Sequence, residues 1–272
     1  SYFLEGAHMA QTDSEVSLFR MGEQLIEEYS RSKLFRFRTE QDALDFATSS
    51  FIKDLKSHPD ISLAEPNSLL NSLLEPNDPG YDTQWHYPFI GLPEAWDITT
   101  GSSDVIVAVI DTGVLLSHPD LAGRFDPNDP DGYDFISSAA NSNDGDGRDG
   151  DANDPGDKPG ASSFHGTHVA GTIAAASNNG TGVSGVTWNT SIMPLRVLGT
   201  DGGTSFDVRQ AVLYAAGLPS AAPGVPVKRA DIINLSLGGE GYSQTEQDAY
   251  TAARNEGVII IAAAGNEASS TP

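Results

Sequence analysis

The sequence predicts an α/β fold: a doubly wound, mostly parallel sheet with helices on both faces, preceded by a small α+β unit. Three observations predict it. Four short runs, Val105 to Ile110, Ile192 to Leu198, Ile232 to Leu237 and Val258 to Ala264, are nearly continuous in Val, Ile, Leu and Ala, as strands covered on both faces must be. Helical patterns separate them at Val169 to Ala176, at Val208 to Ala216 and after Ser243. Strands and helices therefore alternate, the order that builds a parallel sheet.

Each element has a local reason. Residues 1–9 read as an expression scar. From Ala10 the composition is mixed, and Asp13 or Ser14 is placed to cap a helix with Val16, Phe19, Ile26 and Tyr29 on one side. Residues 34–39 (LFRFRT) alternate like a strand, Gln41 to Lys56 repeats apolar residues at helical spacing, and residues 61–67 suit a second short strand. Residues 68–82 have no clear period and carry two prolines near their end, which marks a linker. The division expected is thus a small unit with its linker over 10–75 and a larger domain over 76–272. In the larger domain Ser243 to Glu246 forms a capping box and Gly257 suits the stop of the same helix. Residues 126–157 hold ten Asp, many Gly and Asn and few apolar residues. Such a segment reads as a loop, either solvated or ordered by cations.

Charge and composition narrow the function. The chain of 272 residues carries 38 acidic against 15 basic side chains, a net charge of −23. That field repels phosphate backbones and anionic membranes, so neither nucleic acid nor a membrane is expected as a partner, while cations are favoured. The absence of Cys excludes disulfides, thiolate zinc sites and a cysteine nucleophile.

The chemistry gathers at strand ends. Asp111 follows the run VIVAVI, where open α/β sheets place their ligand crevice; it is either functional or a turn-former for Thr112 and Gly113. His165 opens the segment HGTHVAGTIAAA, rich in small residues that allow tight helix packing, and it reads as either structural or catalytic. Asn266 follows VIIIAAAG, where it makes a turn or, in an acyl-transfer enzyme, aims an amide donor at an oxyanion.

AVIDTGV, SHPDL, HGTHVAGT, MPLRVL, INLSLGG and AAAGNE stand in one order from about Pro76 to the last residue. In this the chain resembles the subtilisin-like serine peptidases, whose triad runs Asp, His, Ser along the chain. The resemblance implies that Asp111 is the orienting carboxylate, His165 the general base and Asn266 the oxyanion donor. It implies that Gly202, Gly203, Ser236, Leu237 and Gly238 hold a protein or peptide substrate as an added strand. The Gly-lined cleft points to unstructured substrates with a medium or large apolar residue before the scissile bond. One departure stands out. The family's nucleophile lies in a GTS motif well beyond the oxyanion Asn, and here the sole GTS, Gly203 to Ser205, comes before it. Ser205 precedes an amphipathic segment and reads as a helix cap, and Ser163 reads as a loop residue. The serine is accordingly expected beyond residue 272, on an absent or separate C-terminal fragment. The first unit would be the prodomain, an intramolecular inhibitor, and the protein would be secreted.

The resemblance also implies calcium. Residues 177–183 (SNNGTGV) match the family's calcium loop, with Asn179, the carbonyls of Thr181 and Val183, and the carboxylates of Asp120 and Asp78 as ligands. A second calcium site is expected where Asp144, Asp146, Asp149 and Asp151 alternate with Gly, against the alternative of a solvated acidic loop. The rival functional reading is a catalytically dead relative that binds peptides or calcium, or an inactive zymogen fragment.

Overall fold

Apolar β-branched runs flanked by Gly and polar turns leave the second half of the chain little choice but a buried parallel sheet. In the computed structural model, residues 74–266 are described, apart from 159 and 240, together with 49–50, 52–53 and 56–57. The chain divides into two compact units, 1–72 and 73–272. Of the first, the few described positions are helical; its expected strands and first helix lie outside the described residues.

The second unit is built on five parallel strands in the order β2-β3-β1-β4-β5. They are β1 (Ile106–Asp111), β2 (Tyr133–Asp134), β3 (Ser191–Arg196), β4 (Ile232–Leu235) and β5 (Ile259–Ala262). The helices are α1 (His86–Phe89), α2 (Leu92–Trp96), α3 (Ala139–Ser142), α4 (His165–Ala174), α5 (Ser205–Ala215) and α6 (Gln244–Asn255). Among the described residues no helix is long and apolar enough to cross a membrane.

Strand alternation sorts the core into two layers. Ile106, Ala108 and Ile110 of β1 pack with Val208, Ala211 and Val212 of α5 and Ala249 and Ala253 of α6. Val107 and Val109 point the other way, to Ala170 and Ala174 of α4. Helices thus lie on both faces, as expected. A third cluster, Tyr87, Leu92 and Trp96, packs against Tyr81, Val186 and Trp188.

Three sequence expectations change. The acidic segment contains a strand: Tyr133, Phe135 and Ile136 are buried, and β2 pairs with Leu195 and Arg196. The ten Asp had masked a short apolar run that the neighbouring strand covers. The cap of α5 is Thr204 rather than Ser205, because the Thr204 hydroxyl accepts the Asp207 N–H and donates to its carboxylate. Finally, β5 is not covered on both faces: Ile259 and Ile261 are 58% and 54% exposed. Ser243 does cap α6, accepting the Glu246 N–H, and Gly257 follows that helix at φ +84°.

Candidate active site

β1 carries Asp111 to the C-terminal edge of the sheet, and α4 begins beside it with His165. His165 Nδ1 lies 2.7 Å from Asp111 Oδ1, which also accepts the Thr112 N–H at 2.7 Å. Asp111 is fully buried and its Oδ2 is buried without a hydrogen-bond partner, whereas the His165 side chain is 47% exposed. Burial pushes the Asp111 carboxyl up, against the pull of the His165 and Thr112 bonds. The pair thus has a dry, fixed end and a wet end. A carboxylate that accepts Nδ1–H leaves Nε2 to take a proton on the exposed side.

Backbone geometry sets this spacing. The Gly166 N–H donates to Thr112 Oγ1 at 3.0 Å, and a Cβ on Gly166 would stand 2.1 Å from the Gly113 carbonyl oxygen. Only glycine lets α4 approach the turn after β1 so closely. Phe164, just before α4, holds φ +53°, a conformation that a bulky residue keeps only when its surroundings impose it. Ser163 serves the same junction: its hydroxyl binds Asp157 and accepts the His165 N–H. Ser205 is the first residue of α5.

Arg196 is the site residue that sequence reasoning missed. It pairs with Asp111 across β3 and β1 and is fully buried. Its Nε donates to the Thr112 carbonyl at 3.2 Å, Nη1 to Asp134 at 2.5 Å and Asp144 at 2.8 Å, and Nη2 to the Ser142 carbonyl. The guanidinium therefore ties the turn after Asp111 to the acidic loop. The signal was present in IMPLRVL, since an Arg inside a buried strand must find an anion.

The residues expected to hold a substrate strand lie on two loops that follow strands. Gly202, at φ +79°, pairs through its backbone with Gly199 in the loop before α5, and Gly203 follows it. Ser236, Leu237 and Gly238 follow β4; the Ser236 hydroxyl accepts from Asn234, and Gly238 is exposed. Asn266 lies beyond β5 and is exposed.

Two buried carboxylates converge on residues 178–183. Asp78 accepts the N–H groups of Asn178 and Asn179, while Asp120 accepts the Val183 N–H and the Asn179 amide. The Thr181 N–H closes the loop onto Asn179 Oδ1. Neither carboxylate forms an ion pair among the described residues. Two buried anions with only neutral donors fit a hard cation such as Ca²⁺. No three His, Cys, Asp or Glu side chains among the described residues form a ready-made metal cage, so such an ion would also draw on amide and main-chain oxygens.

The acidic loop is organised differently. Asp144 binds Arg196 and the Ser142 hydroxyl, the Asp146 carbonyl also accepts from Ser142, and Asp149 Oδ1 accepts the Asp151 N–H. Asp144, one of the carboxylates offered to a second calcium ion or to solvent, thus shares Arg196 with Asp134.

Comparison with known proteins agrees with this geometry. The Subtilase family model (Peptidase S8) matches residues 102–272. An "Extracellular protease" of Xanthomonas campestris pv. campestris is 41% identical over 246 residues, covering 84% of this chain and 41% of that protein. A "Thermophilic serine proteinase" of Bacillus sp. (strain AK1) is 40% identical over 222 residues, covering 81% and 48%. Among solved structures, one of proteases from Pseudoalteromonas arctica PAMC 21717 matches with TM-score 0.64 and 45% identity, over 71% of this chain and 59% of that one. The chain spans less than half the length of the Xanthomonas and Bacillus relatives. With a parallel α/β sheet, a buried Asp at the end of β1 and a His at the head of α4, the chain belongs to the subtilase family.

Proposed function

We propose that the chain is the larger, N-terminal part of a secreted serine endopeptidase precursor that cuts unstructured proteins. The observation that carries this reading is the 2.7 Å contact between buried Asp111 and half-exposed His165. Asp111 holds the imidazole with Nδ1–H inward, so Nε2 accepts the proton of an attacking serine and later returns it to the leaving amine. Asn266 donates to the oxyanion of the tetrahedral intermediate. A substrate strand lies between Gly202–Gly203 and Ser236–Gly238, held by main-chain hydrogen bonds.

The serine comes from a segment downstream of residue 272. Uncovered surface supports this. Ile259 and Ile261 of β5 are exposed on the α4 side of the sheet, and a groove of about 750 Å³ lies between α4, through Phe164, His168 and Gly171, and residues 83–86 and 115–121. Residues 10–75 act as the prodomain. Calcium sits at Asp78, Asp120, Asn179 and the carbonyls of Thr181 and Val183, where it neutralises two buried carboxylates and braces the N-terminal segment. Asp144, Asp146 and Asp149 hold no ion in this reading. The names of the relatives support secretion and peptide hydrolysis.

The test is casein hydrolysis and fluorophosphonate labelling by the precursor extended past residue 272. Asp111→Asn and His165→Ala should each lower turnover by more than about 10³-fold, and labelling should fall on a downstream serine. Unchanged hydrolysis by His165→Ala would overturn the reading.

A further inference from the structure

We propose that Asp157 and Ser163 are positioning residues for His165, setting the backbone of the first turn of α4 so that the imidazole meets Asp111. The inference rests on the reading of His165 as the general base. A helix leaves its first N–H groups without partners inside the helix, and a Ser, Thr, Asp or Asn at the cap commonly meets one of them. Here the cap residue is Phe164, whose side chain has no acceptor to offer and whose backbone stands at φ +53°. The duty passes to the two residues before it. The Ser162 hydroxyl accepts the Phe164 N–H at 2.9 Å, and the Ser163 hydroxyl accepts the His165 N–H at 3.2 Å. Each hydroxyl is in turn committed to a carboxylate, Ser162 to Asp154 at 2.8 Å and Ser163 to Asp157 at 2.5 Å.

Asp157 grips Ser163 twice, its Oδ2 accepting the hydroxyl and its Oδ1 the backbone N–H. A hydroxyl has a single proton, so once that proton is given to Asp157 only lone pairs are left to face the His165 N–H. Burial raises the Asp157 carboxyl, but the two Ser163 bonds, with Lys158 nearby, outweigh it and hold the group below the usual carboxylate value, an acceptor at neutral pH. A closed loop presents this carboxylate. Lys158 and Ala161 exchange both backbone hydrogen bonds, Asp154 Oδ1 accepts the Gly156 N–H, and the Asp154 N–H donates to the Val114 carbonyl. The loop thus runs from the segment just after Asp111 to the head of α4, bridging the two ends of the 2.7 Å contact. Without the grip on Ser163, Phe164 is free to leave its left-handed conformation, and a backbone rotation there swings His165 off Asp111.

The test compares Asp157→Asn, Ser163→Ala and Ser163→Thr. Asparagine has nearly the shape of aspartate, but whichever way its amide is turned, a donor meets a donor of Ser163 unless the hydroxyl turns its proton toward the His165 N–H. Ser163→Ala removes the acceptor, and Ser163→Thr keeps it. In the 272-residue chain the downfield Nδ1–H resonance of His165 should weaken or vanish in Asp157→Asn and Ser163→Ala, with circular dichroism unchanged, and should persist in Ser163→Thr. In the precursor extended past residue 272, the first two variants should lower kcat about 10- to 100-fold at a KM within about twofold of the parent's, because the loops proposed to hold substrate are untouched. Threonine should restore turnover. A cap that serves stability alone would lower the urea midpoint and leave both the resonance and kcat in place, and that result would overturn the proposal. The resonance reports the geometry of His165 whether or not it acts as a base. Its persistence in Asp157→Asn therefore sinks this inference alone, whereas unchanged hydrolysis by His165→Ala sinks the reading beneath it.

Discussion

Replacing Arg196 by Met would remove a guanidinium that is fully buried and bonded to four oxygens: Thr112 O, Asp134 Oδ2, Asp144 Oδ2 and Ser142 O. Methionine preserves most of the stem's packing, so the loss is chiefly electrostatic. Asp144 can turn toward solvent, since its side chain is 24% exposed, but the Asp134 side chain is 0% exposed. An ion pair broken from one side inside a core costs about 3–5 kcal/mol, a large share of the roughly 5–15 kcal/mol that holds a domain together. Asp134 has one escape, which is to take a proton. Burial, reinforced by Asp144 and opposed by the Ile136 N–H and Arg196, already lifts its carboxyl to about 7. Loss of Arg196 lifts it further, so the variant should suffer most at pH 8 and less at pH 5. Urea unfolding of the 272-residue chain, followed by tryptophan fluorescence at both pH values, measures this. Asp134→Asn in the Arg196→Met background should restore about 2 kcal/mol at pH 8, since the orphaned charge is then gone. A cost below about 1 kcal/mol at pH 8, or equal costs at both pH values, would refute the reasoning.

Three further outcomes are expected. Gly166→Ala would press a methyl group against the Gly113 carbonyl and Asp111 Cβ; α4 must retreat, and the downfield Nδ1–H proton resonance of His165 should weaken or vanish in the NMR spectrum while the circular dichroism of the fold persists. Asp134 also sets a pH slope in the intact chain. A carboxyl raised from near 4 to about 7 on folding contributes stability that is full below pH 4 and is lost as pH rises to about 7. Asp134→Asn should remove up to about 1.4 kcal/mol per pH unit of that slope, as read from urea midpoints between pH 4.5 and 7. Thr204→Ala should destabilise by about 1–2 kcal/mol through loss of the α5 cap, whereas Ser205→Ala should change stability by less than about 0.5 kcal/mol; equal effects of the two would refute the assignment of the cap.

Much of this was legible in the residues themselves. Strands buried in a parallel sheet must be apolar almost throughout, so the cores of β1, β3 and β4 stand out as runs of Val, Ile, Leu and Ala, as does the partly exposed β5, with ends displaced by up to two residues. Asp111 and His165 were readable because a polar residue at the end of such a run, and a His leading a helix of small residues, are local patterns. The resemblance then supplied roles for them that spacing alone left open.

Tertiary structure decided what depends on partners far apart in the chain. β2 escaped notice because Tyr133, Phe135 and Ile136 are few among many Asp, and it takes the folded core, with β3 beside β2 and α5 against Tyr133 and Phe135, to bury them. The acidic loop read as either a calcium site or a solvated loop, and nothing in its spacing showed that Asp144 would meet Arg196, 52 residues away. Which serine or threonine caps α5 turned on the extended backbone at Thr204, φ −108° and ψ 148°. The unpartnered Asp126 Oδ2 likewise has no signature in the sequence: an Asp in DPNDPD looks solvated, and burial alone makes it an unmet charge. Periodicity and strand-end residues are one-dimensional consequences of regular backbone geometry, whereas the pairing of a buried charge is settled only when distant segments fold together.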